Sequence, residues 1–279
     1  MTNFVKAAGQ TQRGLSPLLW GSLPERLIAH PGSGIWLFDD FENLKQLASG
    51  TTGQYASYQD AGVTIKGSPI VSVANGQFGV LEVAGNDATN DEGHIIVGGN
   101  AGAAFKIADA GAEARVVCFE CRVKKAVIAD TATTGFFVGL GEEGLAAADS
   151  LVDTTLEVAS KDLVGFHVLA SDGDAVQTIF RKAGQAKQVV SATAGALVAD
   201  TWIKLGFRYD PKAPAAKKIR FFVNGAELTD YVTATQIAEA TFPDDEELTL
   251  VFLTKNAIAT TESKLQMDWW AAGMQCYQE

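Results

Sequence analysis

From Ile35 to the C-terminus, apolar and polar side chains alternate with a period of two, the spacing of strands whose residues point by turns into a core and out of it. In Val117–Lys124 the residues Val117, Phe119, Cys121 and Val123 face one way, and Cys118, Glu120, Arg122 and Lys124 the other. Trp202–Tyr209 repeats the pattern with Ile203, Leu205, Phe207 and Tyr209 as its core face. Lys218–Asn224 follows and runs into Asn224-Gly225, a hairpin signal because both residues tolerate the positive φ of a type I′ turn. A second hairpin is expected at Asp172-Gly173, between Val164–Leu169 and Val176–Phe180. Gly135–Leu140 and Leu248–Leu253 are apolar on both faces and read as central strands. Further strands are expected at 63–65, 70–73, 78–83, 94–97, 189–192 and 265–277, with short helical turns at 145–148 and 234–240. Many short strands separated by turn residues indicate an antiparallel sandwich or barrel, not a parallel α/β sheet.

Residues 1–35 break this rhythm. Turn formers interrupt the apolar positions too often for a regular element. The segment reads as an extended N-terminal arm, and the chain divides into an arm (1–35) and one large β-domain (36–279). Leu15, Leu18, Leu19 and Trp20 form a compact apolar anchor, expected to dock on a neighbouring protein or a sister subunit, although the arm has the alternative of crossing its own domain.

Composition narrows the partners. With 47% apolar residues the chain can bury a sizeable core, and a formal charge of −11 argues against nucleic acid or an anionic membrane, since phosphate binding relies on clustered Lys and Arg. The pairs Lys124-Lys125 and Lys217-Lys218 read as solvated faces. The N-terminus lacks the apolar core of a secretory signal and no run of 18 apolar residues occurs, so folding in a cytoplasm without membrane insertion is expected. Three cysteines, Cys118, Cys121 and Cys276, cannot all pair within one chain and fit a reducing compartment.

Several segments resemble the concanavalin A-like lectin/glucanase superfamily. They are Phe119–Val123 followed by the Gly-containing Phe136–Leu140, the hairpin Trp202–Tyr209 with Lys218–Gly225, and the closing Leu265–Tyr277. The opening Ile35–Glu42 is similar to the start of such domains in tailed-phage virion proteins. The resemblance implies an all-β, antiparallel concanavalin A-like jelly-roll sandwich. It also implies a structural virion protein assembled in the host cytoplasm: a capsid decoration, cement or head-surface component. The implied partners are the major capsid protein or another virion protein, and further copies of the chain as a homo-oligomer.

The chemistry points the same way. A laminarinase-type glycosidase carries Glu-x-Asp-x-Glu on one strand, where alternation sets the carboxylates on one face. No Glu-x-Asp occurs in this chain, so no catalytic residues and no enzymatic activity are expected. Cys118 and Cys121 lie three apart, on opposite strand faces, so a zinc site is not expected. His30, His94 and His167 show no metal-ligand spacing, and no cofactor is expected. Asp172 and Asp174 offer oxygens to Ca²⁺ but lack a full binding loop, and a plain turn is the simpler reading. The acidic runs Asp39-Asp40 with Glu42, and Asp244–Glu247, read as solvated loop charges. The competing function is a carbohydrate-binding or host-receptor-binding module for a surface glycan. Tyr55 and Tyr58, in the polar loop-like stretch 53–60, and Trp270, one of an adjacent Trp pair, are its candidate stacking residues.

Overall fold

A computed structural model describes residues 14–41, 50–52, 55–61, 63–66, 79–84, 89–98, 102–108, 114–126, 134–153, 155–170, 174–257 and 264–275. In chain order its elements are α1 (Pro17–Trp20), α2 (Leu23–Ala29), β1 (Gly34–Asp39), β2 (Gly50–Thr52), β3 (Tyr55–Gln59), β4 (Thr64–Lys66), β5 (Leu81–Ala84), β6 (Glu92–Val97), β7 (Val117–Lys125) and β8 (Thr134–Gly141). They continue as β9 (Leu163–Val168), β10 (Ala175–Arg181), β11 (Gln188–Ala196), β12 (Ile203–Tyr209), β13 (Ile219–Val223), β14 (Ala226–Val232), α3 (Ala234–Ile237), β15 (Thr249–Asn256) and β16 (Lys264–Gln275).

The strands form two antiparallel sheets. The first runs β14-β13-β12-β7-β16-β5-β4, with β1 pairing the C-terminal half of β16 while β5 pairs its N-terminal half. The second runs β11-β10-β9-β8-β15-β6-β3-β2. Between them lies the main core, built from the inward positions that the alternation marks, such as Phe119, Cys121, Phe207, Phe221, Phe166 and Phe252. The β13–β14 turn has φ values of 51° at Asn224 and 80° at Gly225, the left-handed pair that a type I′ hairpin requires.

Each sheet also has a covered outer face. On the second sheet, Leu145, Leu151 and Val158 from the long loop 142–162 pack over Phe137, Val251 and Leu253, which is why β8 and β15 are apolar on both sides. On the first, α1 and α2 lie across β12, β7 and β16. The arm is therefore helical over much of 17–29 instead of extended, with a proline near the start of each helix, where a missing N–H costs nothing.

Three local expectations are corrected. Residues 55–59 are a strand and not a loop, because Tyr55–Gln59 pairs with Gly93–Val97 of β6. Lys124 and Lys125 are buried; the Lys125 ammonium donates to the Thr134 carbonyl at 2.8 Å, and burial lowers its pKa to about 8. Asp39 is no solvated charge, since it accepts hydrogen bonds from the Tyr55 hydroxyl and the Phe41 amide. Strand 70–73, the Asp172-Gly173 turn, Glu42 and Cys276 lie outside the described residues.

Candidate functional site

The arm is held by one carboxylate. Glu120 projects from the outer face of β7 into a site 1% exposed, where it accepts hydrogen bonds from the Ser16 amide (2.8 Å), the Ser16 hydroxyl and the Trp20 indole Nε1 (2.8 Å). The Lys204 ammonium sits 3.7 Å away and also donates to the Gly14 carbonyl and the Ser16 hydroxyl, both at 2.8 Å. A buried charge is tolerable only when paired and fully hydrogen-bonded, as here. Two glycines make room for this packing: a Cβ on Gly206 would come within 2.5 Å of a Leu19 methyl, and one on Gly273 within 3.1 Å of the Trp20 ring.

Beside the arm the same face carries a row of aromatic rings. On β1, Ile35 and Leu37 turn into the core, so Trp36 and Phe38 turn outward. Trp36 meets Trp20 edge-on at 5.2 Å, lies nearly parallel to Phe38 (6.4 Å, 5°), and Phe38 in turn stacks with Trp269 of β16 (6.3 Å, 28°). The residues opposite Trp36 and Phe38 on β16 are Gly273 and Ala271, small enough to leave the rings room. Phe38 is 49% exposed. A bulge between Met267 and Trp269 brings Asp268 to Arg122 of β7, whose guanidinium lies 4.7 Å from the centre of the Trp202 ring. Lys124, ion-paired to Asp200 at 2.7 Å, approaches the same ring at 5.0 Å. Phe38 and part of Trp36 thus form an open aromatic patch backed by Trp269, which is only 4% exposed, with the half-buried Asp268 of the Arg122 pair beside it.

The outer face of the second sheet carries charge instead. Glu92 of β6 and Lys255 of β15 are cross-strand partners, 3.2 Å apart and almost wholly buried. Lys255 also reaches Asp149 (2.8 Å) and Asp153 (2.5 Å), both on the covering loop, and Glu92 accepts the Asp149 amide at 2.8 Å. The His94 Nε2 lies 3.0 Å from Glu92, and its Nδ1 accepts from the Thr254 amide, so the proton resides on Nε2. Burial disfavours both charges, but the carboxylates outweigh it at Lys255 and hold its pKa above the ordinary value. His94 and Lys255 likewise outweigh it at Glu92, whose pKa falls. Tyr58 stacks on His94 at 6.0 Å and donates to Asp60, which pushes its pKa up to about 12. A lysine saturated by three carboxylates and a tyrosine this hard to deprotonate make a poor acid–base pair at neutral pH. The cluster serves to clip the loop to the sheet.

No family model matches the chain, and no curated protein matches it. Solved structures do. An endo-β-1,4-glucuronan lyase from Trichoderma reesei aligns at 8% identity with a TM-score of 0.51 over 85% of this chain and 94% of the lyase. An endo-1,3-β-glucanase from Streptomyces sioyaensis aligns at 12% identity and 0.50, covering 87% and 97%. A protein of unknown function from Shewanella oneidensis MR-1 aligns at 13% and 0.51, covering 88% and 90%. The fold is that of the concanavalin A-like lectins and glucanases.

The concanavalin A-like sandwich corrects one expectation outright. A chain without enzymatic activity was expected, yet two of the structures it aligns with are a lyase and a glucanase, so the blanket exclusion fails. The missing Glu-x-Asp pattern removes one chemistry by one route. Identities this low show the fold and no activity.

The candidate site residues scatter over the sandwich. Leu19 and Trp20 are buried on the chain's own first sheet, Leu15 packs partly against them, and Leu18 alone of the four is well exposed, at 69%. The anchor is therefore used within the molecule. Tyr55 and Trp270 stack on each other inside the core (6.1 Å, 26°), offering no ring face to a ligand, and Tyr58 lies on the other sheet's outer face. Of the adjacent tryptophans it is Trp269, not Trp270, that turns away from the main core, where the arm cluster and Phe38 cover it to 4% exposure. Cys118 and Cys121 are free thiols on opposite faces of β7, as their spacing requires. Asp172 lies outside the described residues. Trp36, Phe38 and Trp269 were missed, although the alternation in Gly34–Asp39 already set Trp36 and Phe38 on the same face.

Proposed function

We propose that the chain binds a carbohydrate on the outer face of its first sheet, on Phe38 and the open part of Trp36, with Asp268 as a polar partner and the buried Trp269 backing Phe38 from beneath. The observation that carries this reading is Phe38, an aromatic side chain half open to solvent in the middle of a ring row that the core does not need. Sugar rings present C–H faces that stack on aromatic surfaces, while adjacent charged groups hydrogen-bond hydroxyls and set orientation. Structural likeness to a glucuronan lyase and a glucanase is compatible with this reading. A tailed-phage virion role rests on the resemblance of Ile35–Glu42, the missing Glu-x-Asp pattern, the lack of an apolar signal segment and the arm, and two of the side chains it needed for docking, Leu19 and Trp20, are covered by the chain itself.

A glycan array followed by calorimetry tests the proposal. At least one saccharide should bind, and Phe38→Ala should weaken it about tenfold or more, as expected for an aromatic contact of roughly 1.5 kcal/mol. An array without hits, or unchanged affinity in both Phe38→Ala and Trp36→Ala, overturns it.

A further inference from the structure

Loop 142–162 leaves the second sheet at the end of β8 and returns to it at the start of β9, and its first and last residues are both carboxylic acids, Glu142 and Asp162. The backbone fixes them face to face. The Glu142 amide donates to the Asp162 carbonyl at 2.8 Å, and the Asp162 amide donates to Glu142 Oε2 at 3.0 Å. The two carboxyl groups share a hydrogen bond. Such a bond needs one proton, because two ionised carboxylates have only acceptors to offer.

The surroundings decide which group holds it. Glu142 Oε1 is ion-paired to Lys161 at 2.6 Å, so Glu142 carries the charge. Asp162 is buried, and one of its oxygens accepts the Ala183 amide of the β10–β11 turn at 3.2 Å. Asp245, ahead of β15, adds a negative field, although Lys182 pairs with it at 2.8 Å and with Asp244 at 3.5 Å. Burial, the Glu142 hydrogen bond and these negative charges raise the Asp162 pKa to about 6, against the pull of the Ala183 amide. Burial also disfavours the Glu142 carboxylate, but the hydrogen bond from Asp162 and the Lys161 charge outweigh it and lower its pKa.

The pair sits at a seam. The end of the loop is stitched to the β10–β11 turn by Arg181 on the Val158 carbonyl (2.7 Å) and by the Gly184 amide on the Ser160 hydroxyl (2.8 Å). Asp162 therefore joins the start of the loop, its end and that turn.

We propose that the Glu142–Asp162 pair is a pH-sensitive latch for loop 142–162, closed while the two carboxyl groups share a proton and loosened when that proton leaves. The folded chain holds the proton more tightly than an ordinary aspartate, whose pKa is 3.8, so the latch contributes fully below that value and is lost as pH rises through about 6. The Lys255 clip at the middle of the loop has the opposite sense. Lys255 lowers the Asp149 pKa, so that hold is kept above 3.8 and lost as pH falls further. Mildly acidic solution keeps both holds, and neutral solution loosens the base of the loop, from which Leu145 and Val158 reach over Phe137, Val251 and Leu253.

Limited proteolysis of the full chain with thermolysin at pH 5 and pH 7.5, with cuts inside 142–162 located by mass spectrometry, tests the latch. Wild type is compared with Asp162→Asn and Glu142→Gln, in each of which a side-chain amide donates to the remaining carboxylate at either pH. The comparison cancels the protease's own pH dependence. Between the two pH values the wild-type rate should rise about tenfold relative to either variant, because opening gains up to tenfold per unit until Asp162 of the closed loop has itself ionised. A constant ratio of wild type to variant overturns the proposal, and so does a rise that Glu142→Gln retains. If Asp162→Asn does not give a wild-type circular dichroism spectrum, Glu142→Gln, at the more open of the two sites, supplies the comparison alone.

Discussion

The two sheets of this sandwich are covered on their outer faces in different ways. The first is roofed by α1 and α2 through apolar contacts, with Leu19, Trp20, Leu23 and Leu27 against Cys118, Phe222 and Trp269, and a single carboxylate, Glu120, satisfied by its surroundings. The second is roofed by loop 142–162, whose apolar patch is supplemented by an ion cluster centred on Lys255. Apolar burial depends little on pH and salt, whereas clips that end on exposed carboxylates such as Asp149 and Asp153 respond to both. The first face can therefore act as a permanent platform for the aromatic row beside it, and the second is the face where solution conditions act.

The sharpest break in this comparison is Trp20→Ala. It removes a fully buried indole and leaves Glu120 short of a donor, so it should destabilise the chain by about 3 to 5 kcal/mol in urea unfolding. A loss under 1 kcal/mol would mean that the arm is a loose cover. Next is Lys255→Met, which removes the ammonium partner of the buried Glu92 carboxylate. The expected loss is about 2 to 3 kcal/mol, below the full cost of breaking a buried pair because His94 and the Asp149 amide still serve Glu92. If Asp149→Asn costs as much as Lys255→Met, the loop clip and not the buried pair carries the energy.

The smallest effect per step is pH dependence, and it belongs to the second sheet. His167 of β9 is buried with its Nε2 on the Leu156 carbonyl of the covering loop, and burial lowers its pKa to about 3. The unfolded chain takes up a proton near pH 6.5 that the folded chain refuses until about pH 3. Stability contributed by neutral His167 is thus complete above pH 6.5 and falls as pH drops through that window, by up to about 1.4 kcal/mol per unit. Denaturation midpoints of wild type and His167→Gln from pH 7 to 4 should diverge in slope, the variant losing less on acidification; parallel slopes would remove His167 as the cause.

Much of the fold was legible because a strand writes its burial into alternate residues. Val117–Lys124, Trp202–Tyr209 and the Asn224-Gly225 turn needed no knowledge of their neighbours. The site was less so. Which of Trp269 and Trp270 faces outward depends on a bulge at 267–269, and one inserted residue reverses every side chain beyond it. Lys124 and Lys125 read as surface because burial of a lysine depends on partners such as Asp200 and Thr134, brought in from elsewhere. The Glu92–Lys255 pair joins residues 163 positions apart, and only the β6–β15 register reveals it. The arm's anchor was visible as an apolar cluster, but its partner surface was not, since the space for it comes from Gly206 and Gly273.

Cys118 and Cys121 sit three residues apart on β7, and different parts of the molecule shield them. Cys118 is beneath the arm helices and its thiol lies 3.9 Å from the Leu19 carbonyl, whereas Cys121 is in the core between the sheets. An alkylating reagent reaches the first when the arm lifts and the second only when the sheets part, two openings with separate free energies. The chain thus carries, three residues apart, one chemical clock for undocking of its cover and another for global unfolding.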